Sequence, residues 1–159
     1  MTESQKVEQD WETPSHDEIP VISRAHVGAM ETSDDPAVWV QAGMHHVLLQ
    51  TVGRKSGTEH KVALPFWRDG NGDRIVVASY AGATANPSWF FNLADRDANP
   101  EVLVRVQGGS FWSQPEILDG DDYDATWSQL IADRAWYQDY QGRTERRIPL
   151  VRLPETRPV

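Results

Sequence analysis

Residues 47–67 read VLLQTVGRKSGTEHKVALPFW, and this stretch decides how the middle of the chain folds. Two apolar runs flank a short segment with two glycines, which predicts two strands joined by a tight turn. The turn also holds Arg54, Lys55 and Ser56. Glycines let the backbone approach an anion, and cations together with a hydroxyl bind it. The turn is therefore typical of a site for a phosphorylated ligand.

Exposed lysine and arginine are common in turns, so an ordinary cationic hairpin turn also explains this segment. A Walker loop does not, because its Gly-x-x-x-x-Gly-Lys spacing is absent and the turn joins two strands. The predicted helix start at Asn86-Pro87-Ser88 would bring free backbone amides to the same anion. Gly57 and His60, the latter when protonated, complete the candidate anion site.

The composition favours one domain without disulfides. The chain has 159 residues and no cysteine, which excludes a thiol nucleophile and thiolate metal ligands. We expect a cytoplasmic protein, because we find neither a secretion signal nor an apolar run of the roughly 20 residues that span a membrane. Nine acids and two bases in residues 1–35 carry −7 of the net charge of −9. The rest is nearly balanced, so we expect no nucleic-acid partner.

The acidic residues 1–35 are expected to form a flexible N-terminal arm, followed by a cofactor-binding domain over residues 36–159. Two interpretations of the arm stay open: a disordered tail, or a lid over the pocket with Trp11 as its anchor. Asp35 before Pro36 resembles a helix cap and predicts a short helical segment at the start of the cofactor-binding domain.

Periodicity predicts strands joined largely by hairpins, with one inserted helix, a late helix and a closing strand. Gly-rich hairpin turns are expected at residues 69–72 and 108–109. This order favours an antiparallel α+β fold, and a small antiparallel sheet tends to close into a barrel. The predicted strands cover residues 47–52, 60–67, 74–79, 102–107, 110–118 and 148–153, and the predicted helices cover residues 88–94 and 123–140.

Aromatic side chains mark the remaining candidate sites. Trp89, on the short helix, is explained by core packing or as one wall of a pocket for a planar ring. Tyr137 and Tyr140 share a helix face, and their hydroxyls need partners. Either they are half-exposed packing, or they donate hydrogen bonds to a substrate oxygen. Three arginines follow and are expected mainly on a solvated face; these are Arg143, Arg146 and Arg147. The five histidines have no metal-ligand spacing, so we expect no metal.

Six motifs in order make residues 37–153 resemble the deazaflavin-dependent nitroreductase family, which belongs to the split β-barrel flavin/deazaflavin oxidoreductases. The motifs begin with the strand and cationic turn and end with Arg147-Ile148-Pro149. The others are Val76-Val77-Ala78-Ser79, Asn86-Pro87-Ser88-Trp89-Phe90-x-Asn92-Leu93, Asn99-Pro100-Glu101-Val102 and Tyr137-Gln138-Asp139-Tyr140-Gln141-x-x-Thr144. The family often has arginine where His60 stands and lysine where Tyr80 stands.

The resemblance implies coenzyme F420 as cofactor, with FMN as the alternative. Its phosphate would bind the turn at Arg54, Lys55, Ser56 and Gly57. Its ring would lie near a strand end and a helix start, at Ala78, Ser79, Pro87, Ser88 and Trp89. Tyr137 and Tyr140 would lie beside the substrate.

The resemblance further implies an F420H2-dependent reductase that passes a hydride to an electron-poor small molecule of the quinone, enone or nitroaromatic type. It implies a monomer or a homodimer. Two alternatives stay open. One is a cofactor-binding module without turnover, and the other is a non-redox biosynthetic enzyme on the same barrel, such as a cyclase or isomerase.

Overall fold

The structure, a computed structural model, describes residues 5–159. Its helices are α1 Glu18–Thr32, α2 Pro36–Trp39, α3 Ser88–Ala94, α4 Gly120–Asp133 and α5 Trp136–Gln141, and a 3₁₀ turn covers Tyr80–Gly82. Its strands are β1 Val40–Gln41, β2 Met44–Val52, β3 Glu59–Pro65, β4 Trp67–Arg68, β5 Arg74–Val77, β6 Val102–Val106, β7 Gly109–Ser113, β8 Glu116–Ile117, β9 Leu150–Leu153 and β10 Arg157–Pro158. In this part of the chain, no helix has the length and apolar character needed to cross a membrane.

The strands form two antiparallel sheets. The larger has the order β1-β2-β6-β7-β10, with β3 also paired to β2, and the smaller has the order β4-β5-β9-β8. Phe66 alone separates β3 from β4, where the chain passes from one sheet to the other. The predicted antiparallel α+β architecture is confirmed. Within the described residues neither sheet closes on itself, so the barrel is split rather than closed.

An apolar core joins the inner faces of the two sheets. Leu49 of β2 and Val104 of β6 come from the larger sheet, and Val76 of β5 and Val151 of β9 come from the smaller one. All four are fully buried. Burying a side chain of this size contributes roughly 1.5–3 kcal/mol. The helix α3 adds Leu93 to this core, which fixes α3 beside β2.

Local turn chemistry sets two of the hairpins, as predicted. Between β4 and β5, the Asp69 carboxylate accepts hydrogen bonds from the backbone N–H of Asn71 and of Asp73, at 2.9 and 3.0 Å. Between β6 and β7, Val106 pairs with Gly109 across a two-residue turn. The cap before α2 is also confirmed, because an Asp35 carboxylate oxygen accepts from the Ala37 N–H at 2.9 Å.

The expectation of a flexible arm is wrong for the residues of α1. Ser15 and Glu18 form a reciprocal capping box, in which the Ser15 N–H donates to the Glu18 carboxylate and the Glu18 N–H donates to the Ser15 hydroxyl. Pro20 lies in the first turn, where its missing N–H costs nothing. Val27 and Met30, one turn apart, bury the inner face of α1. Residues 1–4 of the predicted arm lie outside the described residues.

The predicted helix over residues 123–140 is broken in the structure. Arg134, between α4 and α5, has φ −139° and ψ 72°, which no helix accommodates. Its guanidinium is almost fully buried and donates to Gln5 O at 3.1 Å and to Phe66 O at 2.9 Å. These two distant carbonyls draw the chain out of the helix. The break turns α5 so that Tyr137 and Tyr140 face a cavity.

Burial of His46 makes the stability of the fold depend on pH. Burial, together with the charge of neighbouring His26, lowers the pKa of His46 from 6.5 to about 3. Between these two values the unfolded chain binds a proton that the folded chain does not, so stability falls as the pH falls. At pH 5 this group alone should remove about 2 kcal/mol of the free energy of unfolding.

Urea unfolding at pH 7.5 and at pH 5.0 measures this loss. Between pH 7.5 and pH 5.0, we expect the free energy of unfolding to fall by about 2 kcal/mol less in His46→Gln than in the unsubstituted chain. His45→Gln, at the neighbouring position of β2, is the control and should keep the full loss. An equal loss in the His46→Gln variant would contradict the assignment.

Candidate functional site

One cavity of about 470 Å³ brings together most of the predicted site residues. It lies between α1, β3, the 3₁₀ turn, the start of α3 and α5. Of the predicted cofactor residues, His60, Ser79, Pro87, Ser88 and Trp89 line it. Both predicted substrate residues, Tyr137 and Tyr140, line it as well.

The cationic turn lies beside this cavity without lining it. The backbone N–H groups of Gly53 and Gly57 close the turn, donating to Thr58 O at 2.8 Å and to Gly53 O at 2.9 Å. Arg54, Lys55, Ser56 and Gly57 are all exposed. Within the described chain, no acid forms an ion pair with either cation of the turn. Both charges are therefore available to an anion.

A chain of polar atoms leads from the turn into the cavity wall. The Ser56 hydroxyl is 2.8 Å from the Thr58 hydroxyl, which is 3.4 Å from His60 Nε2. The Ser56 hydroxyl and the His60 ring lie directly over Gly53, where a Cβ would come within 2.8 Å of the same imidazole nitrogen. These polar side chains are grouped beside the turn, and they suit an anionic group.

Two buried asparagines fix the turn to α3. Asn92 accepts from the Arg54 N–H at 3.3 Å and donates to the Thr51 hydroxyl at 3.3 Å. Asn99 accepts from the Val52 N–H at 2.7 Å and donates to Val52 O at 2.8 Å. Both lie in motifs of the resemblance, which assign them no role. For Asn92 the signal was an amide within the apolar run of α3, since buried polar groups need partners. Asn99 stands between charged residues and Pro100, so the sequence carries no such signal for it.

The ring residues predicted from the resemblance fall into two groups. Ser79, Pro87, Ser88 and Trp89 line the cavity, whereas Ala78 is fully buried behind it. Ala78 contributes its backbone instead, donating its N–H to Pro149 O at 3.0 Å. The structure therefore brings four of these five residues to the cavity surface.

Arg146 binds the loop formed by residues 78–86, and this role was missed. Its guanidinium donates to Ala83 O at 2.8 Å, Ala78 O at 3.1 Å, Ser79 O at 2.7 Å and Asn86 Oδ1 at 2.7 Å. Burial lowers the pKa of Arg146 from its usual value. The expectation of a solvated face is wrong for this arginine. The Asn86 side chain, at the predicted helix start, accepts from Arg146 and does not cap α3.

The 78–86 loop has an unusual backbone. Tyr80 and Ala81 have φ of 43° and 50°, in the left-handed region that costs a non-glycine residue free energy. Gly82 has φ 75°, and a Cβ there would lie 2.6 Å from Tyr140 O. The loop therefore touches the backbone of α5. The Tyr80 hydroxyl donates to His16 O at 3.4 Å.

Tyr137 and Tyr140 bring two phenols to the lining of the cavity. Their rings meet edge to face, with centroids 6.0 Å apart. Burial raises the pKa of Tyr137 to about 12, so its hydroxyl keeps its proton at neutral pH. The Tyr140 hydroxyl is 3.1 Å from the Thr13 hydroxyl. A protonated phenol is a hydrogen-bond donor, which suits an acceptor oxygen.

The N-terminal segment forms one wall of the cavity. Trp11 meets Trp136 edge to face, with ring centroids 5.0 Å apart. Pro14, Ile19 and Arg24 also line the cavity. Lys61 of β3 forms an ion pair with Glu31 of α1 at 2.9 Å, which holds α1 against β3. No group of three or more potential metal ligands occurs among residues 5–159.

The model of the F420H(2)-dependent quinone reductase family matches residues 22–155. An F420H(2)-dependent quinone reductase of Mycobacterium tuberculosis is 34% identical over 110 residues, which cover 67% of this chain and 71% of the relative. A solved F420-H2 dependent reductase (FDR-A) has a TM-score of 0.57 and 32% identity, covering 69% of this chain and 93% of its own. A solved domain-swapped dimer has a TM-score of 0.59 and 28% identity, and the match covers 82% of this chain and 96% of the dimer's chain.

The fold is thus that of an oxidoreductase of the F420-dependent class, and the predicted resemblance is confirmed. The chain belongs to the F420H(2)-dependent quinone reductase family. The expected cofactor, F420, is confirmed with it.

Proposed function

We propose that the cavity binds F420 with its phosphate at the cationic turn and its ring near Ser79 and Trp89. Tyr137 and Tyr140 bind an electron-poor acceptor of the quinone, enone or nitroaromatic type. Reduced F420 supplies the hydride when bound, and the acceptor oxygen takes up a proton. One observation carries the proposal: a single cavity reaches from His60, beside the turn, to the two phenols.

The anion end is supported by charge and shape. Arg54 and Lys55 are exposed and lack acidic partners among residues 5–159. The Arg54 guanidinium lies over the Phe91 ring, 5.0 Å from its centroid, and is oriented by it. Ser56 and His60 add a hydroxyl and an imidazole above Gly53. The charged groups and the hydroxyl suit a phosphodiester.

The acceptor end is supported by burial and by protonation. Hydride transfer to a quinone or an enone builds negative charge on an oxygen. A neutral phenol that is already oriented stabilises this charge without solvent reorganisation. Trp11, Trp136 and Met44 belong to the same apolar cluster as the two phenols, and apolar surroundings strengthen such a hydrogen bond. The chain supplies orientation and electrostatics, and no protein nucleophile is needed.

The test is a fluorescence titration of the purified chain with F420 beside FMN, followed by turnover of 1,4-naphthoquinone with reduced F420. We expect binding of F420 and quinone reduction. Tighter binding of FMN would overturn the cofactor assignment. Binding of F420 without reduction across a panel of acceptors would indicate a binding module, and turnover without any flavin would indicate a non-redox enzyme.

The cytoplasmic location, the domain boundary at residue 35 and the monomer or homodimer stay predictions.

Removal of either phenol tests the acceptor end. We expect Tyr140→Phe and Tyr137→Phe each to lower kcat/KM for 1,4-naphthoquinone about tenfold, since one hydrogen bond to developing charge is lost while the other remains. F420 affinity should not change. Tyr123→Phe is the matched control, because its hydroxyl donates to Ile148 O at 2.6 Å away from the cavity lining. Full activity in both cavity variants would contradict the role of the phenols.

A further inference from the structure

We propose that Thr13 is a positioning residue for Tyr140, and that a hydrogen-bond chain from the N-terminal segment directs the Tyr140 proton toward the acceptor. The inference rests on the proposed function, in which Tyr140 donates to the acceptor oxygen. The family model begins at residue 22, so family membership assigns no role to Thr13.

The chain consists of three polar groups in series. Gln9 Nε2 donates to the Thr13 hydroxyl oxygen at 3.0 Å, and that hydroxyl is 3.1 Å from the Tyr140 hydroxyl. An amide NH2 has no acceptor lone pair to offer, so the first bond has a fixed direction. The Thr13 hydroxyl accepts from Gln9 and still has its own proton to donate. The proposal is that this proton goes to the Tyr140 oxygen across the 3.1 Å contact.

This direction decides what Tyr140 can do. If the phenol donated to Thr13, its only proton would be engaged and unavailable to an acceptor in the cavity. With Thr13 as the donor, the Tyr140 oxygen accepts and its proton remains free to point into the cavity. Hydrogen bonds in series also polarise one another, which makes the phenol a better donor.

The segment that holds Thr13 is anchored on both sides of the contact. On one side, the Val7 N–H donates to Asp133 O at 3.0 Å, and Trp11 packs edge to face on Trp136. On the other side, His16 O accepts from the Tyr80 hydroxyl. Residue 13 is thus held at a fixed position against α5. The segment does more than cover the cavity, because it sets the orientation of a functional hydroxyl.

A double-mutant cycle tests the inference. Thr13→Val removes the hydroxyl at nearly constant volume, and Thr13→Ser keeps it. We expect Thr13→Val to lower kcat/KM for 1,4-naphthoquinone about threefold, Thr13→Ser to restore it, and Thr13→Val to have no further effect in a Tyr140→Phe background. Thr32→Val is the control, since the Thr32 hydroxyl bonds only helix carbonyls within the described residues.

A second readout needs no turnover. The readout is quinone binding to the full chain without reduced cofactor, measured by the quenching of tryptophan fluorescence. We expect Thr13→Val to weaken this binding about threefold and to show the same coupling to Tyr140→Phe. The melting temperature and F420 affinity should not change. An equal loss in both backgrounds, or no loss from Thr13→Val while Tyr140→Phe is impaired, overturns the inference alone. An unimpaired Tyr140→Phe variant overturns the donor role in the proposed function and the inference together.

Discussion

Replacing Arg54 and Lys55 together with alanine is expected to weaken binding of F420 at least about a hundredfold, while turnover at saturating cofactor stays within about twofold. A hydrogen bond to a charged group contributes about 1.5–3 kcal/mol, so even the lower value for two contacts corresponds to roughly a hundredfold in affinity. In the proposed function the reaction takes place beside the two phenols and not at the turn. The affinity is measured by fluorescence titration and the turnover by F420H2 oxidation.

The salt dependence of binding sharpens this experiment. Screening weakens the attraction between exposed charges, so F420 affinity of the unsubstituted chain should fall with salt more steeply than that of the double variant. Arg157→Ala is the control, because this substitution removes one positive charge that lies outside the turn and pairs with Glu101. Unchanged F420 affinity in the double variant would remove the cationic turn from the binding site.

The second large effect is expected from Arg146→Met, which removes a guanidinium that binds three carbonyls and one side-chain amide oxygen. These acceptors lose their partner, and we expect the free energy of unfolding to fall by about 3 kcal/mol. For a chain of this size that corresponds to a fall of about 10 °C in the melting temperature. The loop that carries Ser79 also loses its support, so F420 affinity should fall about tenfold.

Two variants separate these effects from the loss of charge. Arg146→Lys keeps the charge but cannot reach four acceptors at once, so it should recover only part of the stability and affinity. Arg147→Met is the neighbouring control, because this exposed arginine lies over the Tyr123 ring, 4.0 Å from its centroid, outside the cavity. Equal losses from Arg146→Met and Arg147→Met would contradict the specific role of Arg146.

The sequence predicted the elements that depend on local chemistry. The strand-turn-strand around Arg54, the hairpin at Asp69 and the helix over residues 88–94 each carry their own turn residues or apolar period. Strand ends were less accurate, because pairing with a partner strand determines where a strand stops. The helix α1 was missed because the acidic composition of residues 1–35 suggested irregular chain, although the Ser15 capping box was present.

The parts of the site that could not be predicted depend on contacts between distant residues. Arg146 reaches a loop more than 60 positions earlier, and Thr13 reaches Tyr140 across 127 positions. Neither residue differs in type from its solvent-exposed neighbours, so no local pattern distinguishes it. The break at Arg134 is similar, since the carbonyls that extend the chain there come from Gln5 and Phe66.

The close approach of Gly82 to the α5 backbone links the 78–86 loop to Tyr137 and Tyr140. A side chain at Gly82 would collide with Tyr140 O and Arg143 Cβ, so the loop packs directly against the end of α5 and the chain that follows it. Changes on one side will therefore alter the effect of changes on the other. Divergence toward new acceptors should proceed through paired substitutions, and directed evolution that randomises residues 78–86 and 137–143 jointly will find variants that separate libraries miss.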